Sequence, residues 1–406
     1  VARRTAYLAL LIENPMALSQ LVKLCSASAW IADLLSRHPV LLDELLDPRT
    51  LYTPPNAQAL RAELALRLSV IAPGDLEQHM EALRQFKQAN VLRVAAADIA
   101  DALPLMVVSD HLSWIAETVT AAALDLAWRE LTLRHGTPPV PGFAVIAYGK
   151  LGGLELGYGS DLDLVFLYAA ADSEQPTAGD KPIGSAVFFT RLGQRIVHIF
   201  TAHTPAGVLY DIDLRLRPSG ASGLLVSTLD AYAEYQTSEA WTWEHQALVR
   251  ARPIAGDHAV MQRFTAIRCG VLARVRDLDQ LREEVRSMRE KMRATFASPG
   301  SGKFDLKQGA GGIVDIEFLV QFGVLAWAHE HPPLLDFTDN IRLLGELGKA
   351  GKLTAQEVQM LSDAYRTYRA RQHKLALQSA PAVVNEDAYG APRAAVIGVW
   401  RKFLEA

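Results

Sequence analysis

The chain has 406 residues, half of them hydrophobic and 21% charged, with a formal net charge of -4. That length is too great for one ordinary core, so two or three globular domains are expected. The acidic balance and the absence of a basic stripe speak against a template-directed polymerase, and no nucleic-acid partner is expected. Cys25 and Cys269 stand far apart without metal-ligand spacing, which fits a reducing cytoplasm and no disulfide framework. No apolar run is long enough to span a bilayer, so no membrane partner is expected.

The chain opens on VARRTAYLALLIENP, which reads as a first helix and not as a signal peptide, because Glu13 and Asn14 end the apolar run. Val1 in place of methionine suggests a piece of something longer. From Ala6 to about Arg134 the pattern is helical, with Leu8, Leu11, Leu18, Leu21 and Leu24 at three- and four-residue intervals. His38 to Pro48 predicts a short amphipathic helix. Leu76, Met80, Leu83 and Phe86 mark a longer one, and Leu112 to Leu126 another that ends near His135 and Gly136. HGTPPVPG is a linker. Phe143–Leu151 and DLDLVFLY predict buried strands. A polar loop runs from Asp172 to Asp180, and Ser185–Phe200 is helical by period. Val208–Pro218 alternates and predicts a third strand; Gly223–Leu229 predicts a fourth. The next stretch, AYAEYQTSEAWTWEHQALVRARPI, predicts helix, as does LDQLREEVRSMREKMRATFA. A glycine-rich turn then precedes the helix of IVDIEFLVQFGVLA, and further helices are expected over Asn340–Leu377 and Pro392–Leu404. The fold class is α+β, mostly helical. An amino-terminal helical region (1–136), an α/β core (137–255) and a carboxy-terminal helical bundle (256–406) are the expected parts. The strands do not repeat as a βαβ series, which argues against a doubly wound sheet.

The chemistry concentrates in Gly149–Tyr168. Asp161 and Asp163 alternate with Leu162 and Leu164, so on a strand both carboxylates share one face. Paired carboxylates repel unless a cation lies between them, and an all-oxygen site suits Mg2+ shared with phosphates. Gly149, Gly152 and Gly153 supply bare backbone that a triphosphate can approach. The segment is not a P-loop, because no Ser or Thr follows Lys150, and it is not a dinucleotide fingerprint, because no long helix follows the turn. Asp211, Asp213, Arg215 and Arg217 share a second strand face by parity. One of those aspartates would complete a three-carboxylate, two-metal site, and parity does not choose between them. The arginines suit phosphate.

YGKLGGLELGYGSDLDLVFLY, DLRLRPSGASGLLV, SEAWTWEHQALVRARPIAGD and DLKQGAGGIVDIEFLVQ, in this order and spacing, resemble the glutamine synthetase adenylyltransferase family. SDxD after an apolar strand also resembles the polymerase β nucleotidyltransferase superfamily. The resemblance implies a polymerase β-like core, with Asp161, Asp163 and Asp213 as catalytic metal ligands. It implies ATP as substrate, with Gly159 and Ser160 facing its phosphates. It further implies glutamine synthetase as protein substrate, and a PII-type signal protein and glutamine as regulators. Enzymes of the family carry two such units, one attaching AMP to a tyrosine and one removing it by phosphorolysis. The single SDxD site here resembles the carboxy-terminal, adenylylating unit.

Two segments are secondary candidates. In SEAWTWEHQALVRARPI, Trp241 and Trp243 read as packing between core and bundle, His245 as structural, and Arg250 and Arg252 as candidates for phosphate contact. In DLKQGAGGIVDIEF, Gly309, Gly311 and Gly312 open a helix bearing Asp315 and Glu317. Lys307 is taken as a nucleotide-side residue, and Asp315 as a second-tier candidate. The rival readings are the phosphorolytic unit on the same fold and a non-catalytic module that binds signal proteins.

Overall fold

The computed structural model describes residues 5–169, 175–296 and 300–405. Part of the predicted 172–180 loop therefore lies outside the described residues, as does the very start of the predicted first helix.

Short helices at Thr5–Glu13, Pro15–Ala27 and Ala29–Arg37 begin the chain. The His38–Pro48 stretch, expected as an α-helix, forms a 3-10 helix over Pro39–Leu45. Prolines at both ends leave too few residues to propagate an α-helix. Leu76–Ile99 and Leu105–His135 are the long helices. Asp75 caps the first by accepting the Gln78 N–H at 2.9 Å. Gly136, at φ 75°, follows the second as its C-cap.

Among the described residues seven strands follow: β1 (Phe143–Ala147), β2 (Leu162–Tyr168), β3 (Ile212–Asp213), β4 (Val226–Thr228), β5 (Arg252–Gly256), β6 (Lys303–Asp305) and β7 (Val383–Asn385). The main sheet has the order β3-β2-β1-β5, with β4 also paired to β2. β1 runs antiparallel to both β2 and β5, whereas β3 and β4 run parallel to β2 at its two ends. The helix Ser185–Thr201 makes the crossover from β2 to β3, as a parallel pair requires. β6 and β7 form a separate antiparallel pair.

Two strand expectations and one helix expectation are corrected. The strand predicted over Val208–Pro218 is only two residues long, because the chain turns at Leu214–Gly220. The strand predicted from Phe143 stops at Ala147, and Gly149–Gly152 forms one helical turn. The helix predicted through RARPI is instead two helices, Leu229–Ser238 and Thr242–Val249, followed by β5. Pro253 lacks a backbone donor and disfavours helix there, while an edge strand tolerates it.

Alternation along β1 and β2 divides the core. Phe143, Val145, Ala147, Leu162, Leu164 and Phe166 pack against the helices of the amino-terminal region and Ser185–Thr201. Ala144, Ile146, Tyr148, Val165 and Leu167 pack on the opposite face, against helices between His258 and Leu404. Asp163 lies on that second face by parity, so the sheet aims it toward the carboxy-terminal helices. The first helices form a third cluster, which Leu377 joins from the far end of the chain. Among the described residues no single helix is long and apolar enough to cross a membrane.

Candidate active site

β2 and β3 bring two aspartates together. Their parallel register sets Leu162 opposite Ile212 and Asp163 opposite Asp213. The Leu162 N–H donates to the Asp211 carbonyl at 3.0 Å, which locks this register. Asp213 faces Asp163, while Asp211 is exposed and its charge bears on Lys87. Asp161 is exposed one residue before β2.

Burial, then the charges of Asp161 and Asp213, push the Asp163 carboxyl up to about 6. Asp213 behaves oppositely. Arg215 donates to its carboxylate through Nε at 2.9 and 3.0 Å and through Nη2, and the carboxyl is held below its usual range. The two neighbouring acids thus shift in opposite directions, Asp163 holding its proton to a higher pH and Asp213 paired with an arginine. Asp213 is turned onto Arg215, and among the described residues no group of three or more His, Cys, Asp or Glu side chains is placed to hold a metal ion. The donor set nevertheless fits a hard divalent cation: all oxygen, partly buried and short of positive charge at Asp163.

The glycine turn shapes this site. Gly149 has φ 55°, and a Cβ there would collide with the Asp163 carboxylate. Gly159, at φ 68°, is exposed with open space around it. Ser160 Oγ accepts from the Gly157 N–H at 3.2 Å and from Lys150 Nζ at 3.4 Å. Lys150 was not among the predicted site residues, although it sits inside the GKLGG motif. Burial, then the charges of Lys307 and Arg369, lower its ammonium to about 8 against the opposing pull of Glu317 and Asp161. Lys307 is exposed.

Other predicted residues have different partners. A Cβ on Gly152 would strike the Arg250 carbonyl, and one on Gly153 would lie 2.6 Å from Arg250 Nη2. These two glycines therefore pack against Arg250. Arg217 donates to the carbonyls of Leu214, Gly223 and Ala221 at 2.7, 3.1 and 2.9 Å, so it braces the turn after β3.

Arg250 is buried. It donates to Glu155 at 2.5 Å and to Glu317 at 2.6 Å. Burial opposes its charge, but Glu155 and Glu317 more than offset this and hold the guanidinium above its usual range. Arg252 pairs with Glu117 at 2.5 Å. Both arginines were candidates for phosphate contact, and both are instead committed to carboxylates. Glu155, which no motif reading singled out, also accepts from the Tyr365 hydroxyl at 2.5 Å and the Asn340 N–H at 3.0 Å. A charged residue between Leu154 and Leu156 in an otherwise apolar and glycine-rich turn was the available signal.

The tryptophans also depart from expectation. Trp241 is 71% exposed and Trp243 is 37% exposed, so neither is buried between core and bundle. The helix breaks after Ser238, and Trp241 becomes an N-cap whose backbone N–H donates to Glu244 at 2.9 Å. His245 donates through Nε2 to the Gln236 carbonyl at 3.0 Å, and burial lowers it, as befits a structural histidine. Asp315 is buried and accepts from Arg289, Arg293 and the Gly311 N–H at 2.7, 2.5 and 2.7 Å, so it anchors the glycine turn rather than a ligand.

Residues 18–267 match the family model described as glutamate-ammonia ligase adenylyltransferase, and residues 276–381 match that of GlnD PII-uridylyltransferase. Among curated proteins, a relative in Thioalkalivibrio sulfidiphilus is 56% identical over 413 residues, covering 100% of this chain and 43% of that protein. One in Nitrosococcus oceani is 57% identical, covering 100% and 43%. One in Pseudomonas aeruginosa is 54% identical, covering 99% and 43%. Each is named a bifunctional glutamine synthetase adenylyltransferase/adenylyl-removing enzyme, and the chain spans less than half their length. With a family model matched across more than half of it, the chain belongs to the glutamate-ammonia ligase adenylyltransferase family.

Proposed function

We propose that this chain is an Mg2+-dependent nucleotidyltransferase that moves AMP from ATP to a tyrosine of glutamine synthetase. The observation that carries this reading is the register pairing Asp163 with Asp213 beside Asp161, which leaves a partly buried carboxyl short of positive charge. We assign the sheet and its flanking turn to a polymerase β-like core over 137–255, between helical parts at 1–136 and 256–406. Asp161, Asp163 and Asp213 would hold Mg2+, which when bound supplies neutralising charge to the phosphates and the attacking oxygen. Gly149 leaves room for the Asp163 carboxylate, and Arg215 holds Asp213 until a cation replaces it. Gly159, Ser160, Lys150 and Lys307 would line the phosphate side. The tyrosine oxygen bonds to the α-phosphorus as the bond to pyrophosphate breaks, and the hydroxyl proton passes to a carboxylate. Positioning and charge neutralisation would supply most of the rate. The reading places the enzyme in the cytoplasm, with a PII-type signal protein and glutamine as regulators.

The test is transfer of labelled AMP from ATP to glutamine synthetase by the purified chain. Asp161→Asn and Asp163→Asn are each expected to lower the rate by about a hundredfold or more, as for lost electrostatic stabilisation of a transition state. Undiminished transfer in the double variant would sink the assignment. Release of ADP from adenylylated glutamine synthetase and phosphate, without forward transfer, would reverse the assigned direction.

A further inference from the structure

Beside the carboxylates lies a cavity of about 170 Å³ whose lining includes Lys150, Gly157, Ser160, Arg369, Gln372 and His373, with no acidic residue. A water molecule's share of liquid volume is about 30 Å³, so the space exceeds one solvent molecule and admits a phosphate group. It sits where the core turn meets the helix Ala355–Leu377, under Tyr158, whose ring is 5.4 Å from that of His373.

Two of its walls carry buried donors without partners. Arg369 is 2% exposed, and its Nη2 donates to the Glu155 carbonyl at 2.7 Å and to Ser109 Oγ at 3.0 Å. Its Nε has no partner. His373 is 3% exposed, and its Nε2 lies 3.4 Å from Arg369 Nη2. Arginine only donates, so Nε2 accepts and the ring proton is on Nδ1. That Nδ1 also has no partner. Burial, followed by the charges of Arg369 and Lys150, keeps the ring neutral. A neutral ring can still donate through Nδ1. Buried donors left unpaired are costly, and an anionic oxygen would satisfy them. Lys150 adds a cation at the mouth, 3.4 Å from Ser160 Oγ, next to Asp161. Gly157 keeps the space open, since a Cβ there would lie 3.3 Å from His373 Nε2.

We infer that this cavity is a phosphate-binding subsite in which His373 Nδ1 and Arg369 Nε receive terminal phosphate oxygens beside Lys150 and Ser160. The inference deepens the proposed function and rests on it for the identity of the nucleotide. The phosphate is either the polyphosphate tail of ATP or free inorganic phosphate, and both present the same oxyanion. The subsite joins the carboxy-terminal helices to the chemistry, because Arg369 and His373 lie far from the SDxD motif in sequence.

Calorimetry without metal ions, using inorganic pyrophosphate, inorganic phosphate, ATP and AMP as probes, tests it. His373→Phe keeps the ring against Tyr158 and removes the donor. Ala376→Leu, one turn further along the helix, fills the cavity. Each is expected to weaken pyrophosphate about tenfold, the effect of one lost hydrogen bond to a charged group. If ATP weakens in parallel while AMP does not, the occupant is the nucleotide tail. If only inorganic phosphate weakens, the occupant is the free anion. Should His373→Phe fail to show the wild-type melting transition, Ala376→Leu decides alone. Unchanged affinity for pyrophosphate, phosphate and ATP in a folded variant overturns the inference, as does absence of all binding to the wild-type chain. These metal-free affinities are independent of AMP transfer, so the subsite can fail while the transferase reading stands, and the reverse.

Discussion

In the proposed function Asp163 carries a conflict between stability and catalysis. Its carboxyl is raised to about 6, above the unfolded value of about 3.9, so between these limits the folded chain holds a proton that the unfolded chain releases. That contribution favours folding at low pH and is lost as pH rises through about 6. At pH 7 the ionised group then costs on the order of 3 kcal/mol in the metal-free protein. Asp163→Asn should therefore melt a few degrees higher than wild type at pH 7 in chelator, with the gain shrinking toward pH 5. Thermal scans at the two pH values check this, and an unchanged or lower melting point at pH 7 would contradict the repulsion. Mg2+ should raise the melting temperature of the wild type and not of the variant, by linkage. Gly149→Ala is the second case at this scale. It combines a left-handed backbone, costing about 1–2 kcal/mol for a residue with a Cβ, with a clash on the Asp163 carboxylate. It should lower both stability and AMP transfer, whereas Gly159→Ala, in open space, should bear only the backbone cost.

The glycine turn, β5 and the carboxy-terminal helices meet at one buried ion cluster. Glu155 comes from the turn, Arg250 precedes β5, Glu317 lies on the helix Ile313–Trp327, and Tyr365 on Ala355–Leu377. Arg250→Met leaves two carboxylates without their cation, and removing one partner of a buried pair typically costs about 3–5 kcal/mol. Denaturant titration of Arg250→Met, Glu317→Gln and the double variant should show strong non-additivity, because the two residues share one contact. Simple addition of the two effects would mean the cluster contributes no coupling. How far elements were legible follows from their length. Leu105–His135 and Leu278–Thr295 repeat their periodicity over many turns, and the first ends at Gly136 as expected. The two-residue length of β3 and the proline-bearing β5 were not legible, since neighbouring strands define them more than their own residues do.

At the scale of the molecule, β1 and β2 are shared by two cores, one on each face. Contacts distant in sequence tie the parts together: Ser28 Oγ donates to the Leu377 carbonyl at 2.6 Å, and Arg369 donates to Ser109 at 3.0 Å. Neither face of the sheet can lose its helices without exposing strands such as Phe166 and Val165, whose side chains contribute about 1.5–3 kcal/mol each by burial. Guanidinium unfolding should therefore follow one transition, coincident by tryptophan fluorescence and far-UV circular dichroism. An early transition confined to one signal would show that the amino-terminal helices unfold separately.

The spacing of glycine, serine and aspartate in residues 149–163 by itself determined that paired carboxylates follow a tight turn, because period-two alternation and the glycine backbone are local properties. The order and spacing of four motifs along the chain carried the family, and its periodicity carried the mostly helical α+β class. Three arrangements belonged to the tertiary structure. The register of β2 and β3 set Asp213 opposite Asp163, burial turned Arg250 and Glu155 inward as an ion pair, and the fold carried Arg369 and His373 to Ser160. Each depends on which distant segments share a low-dielectric space, and residue order along a chain does not encode that distance.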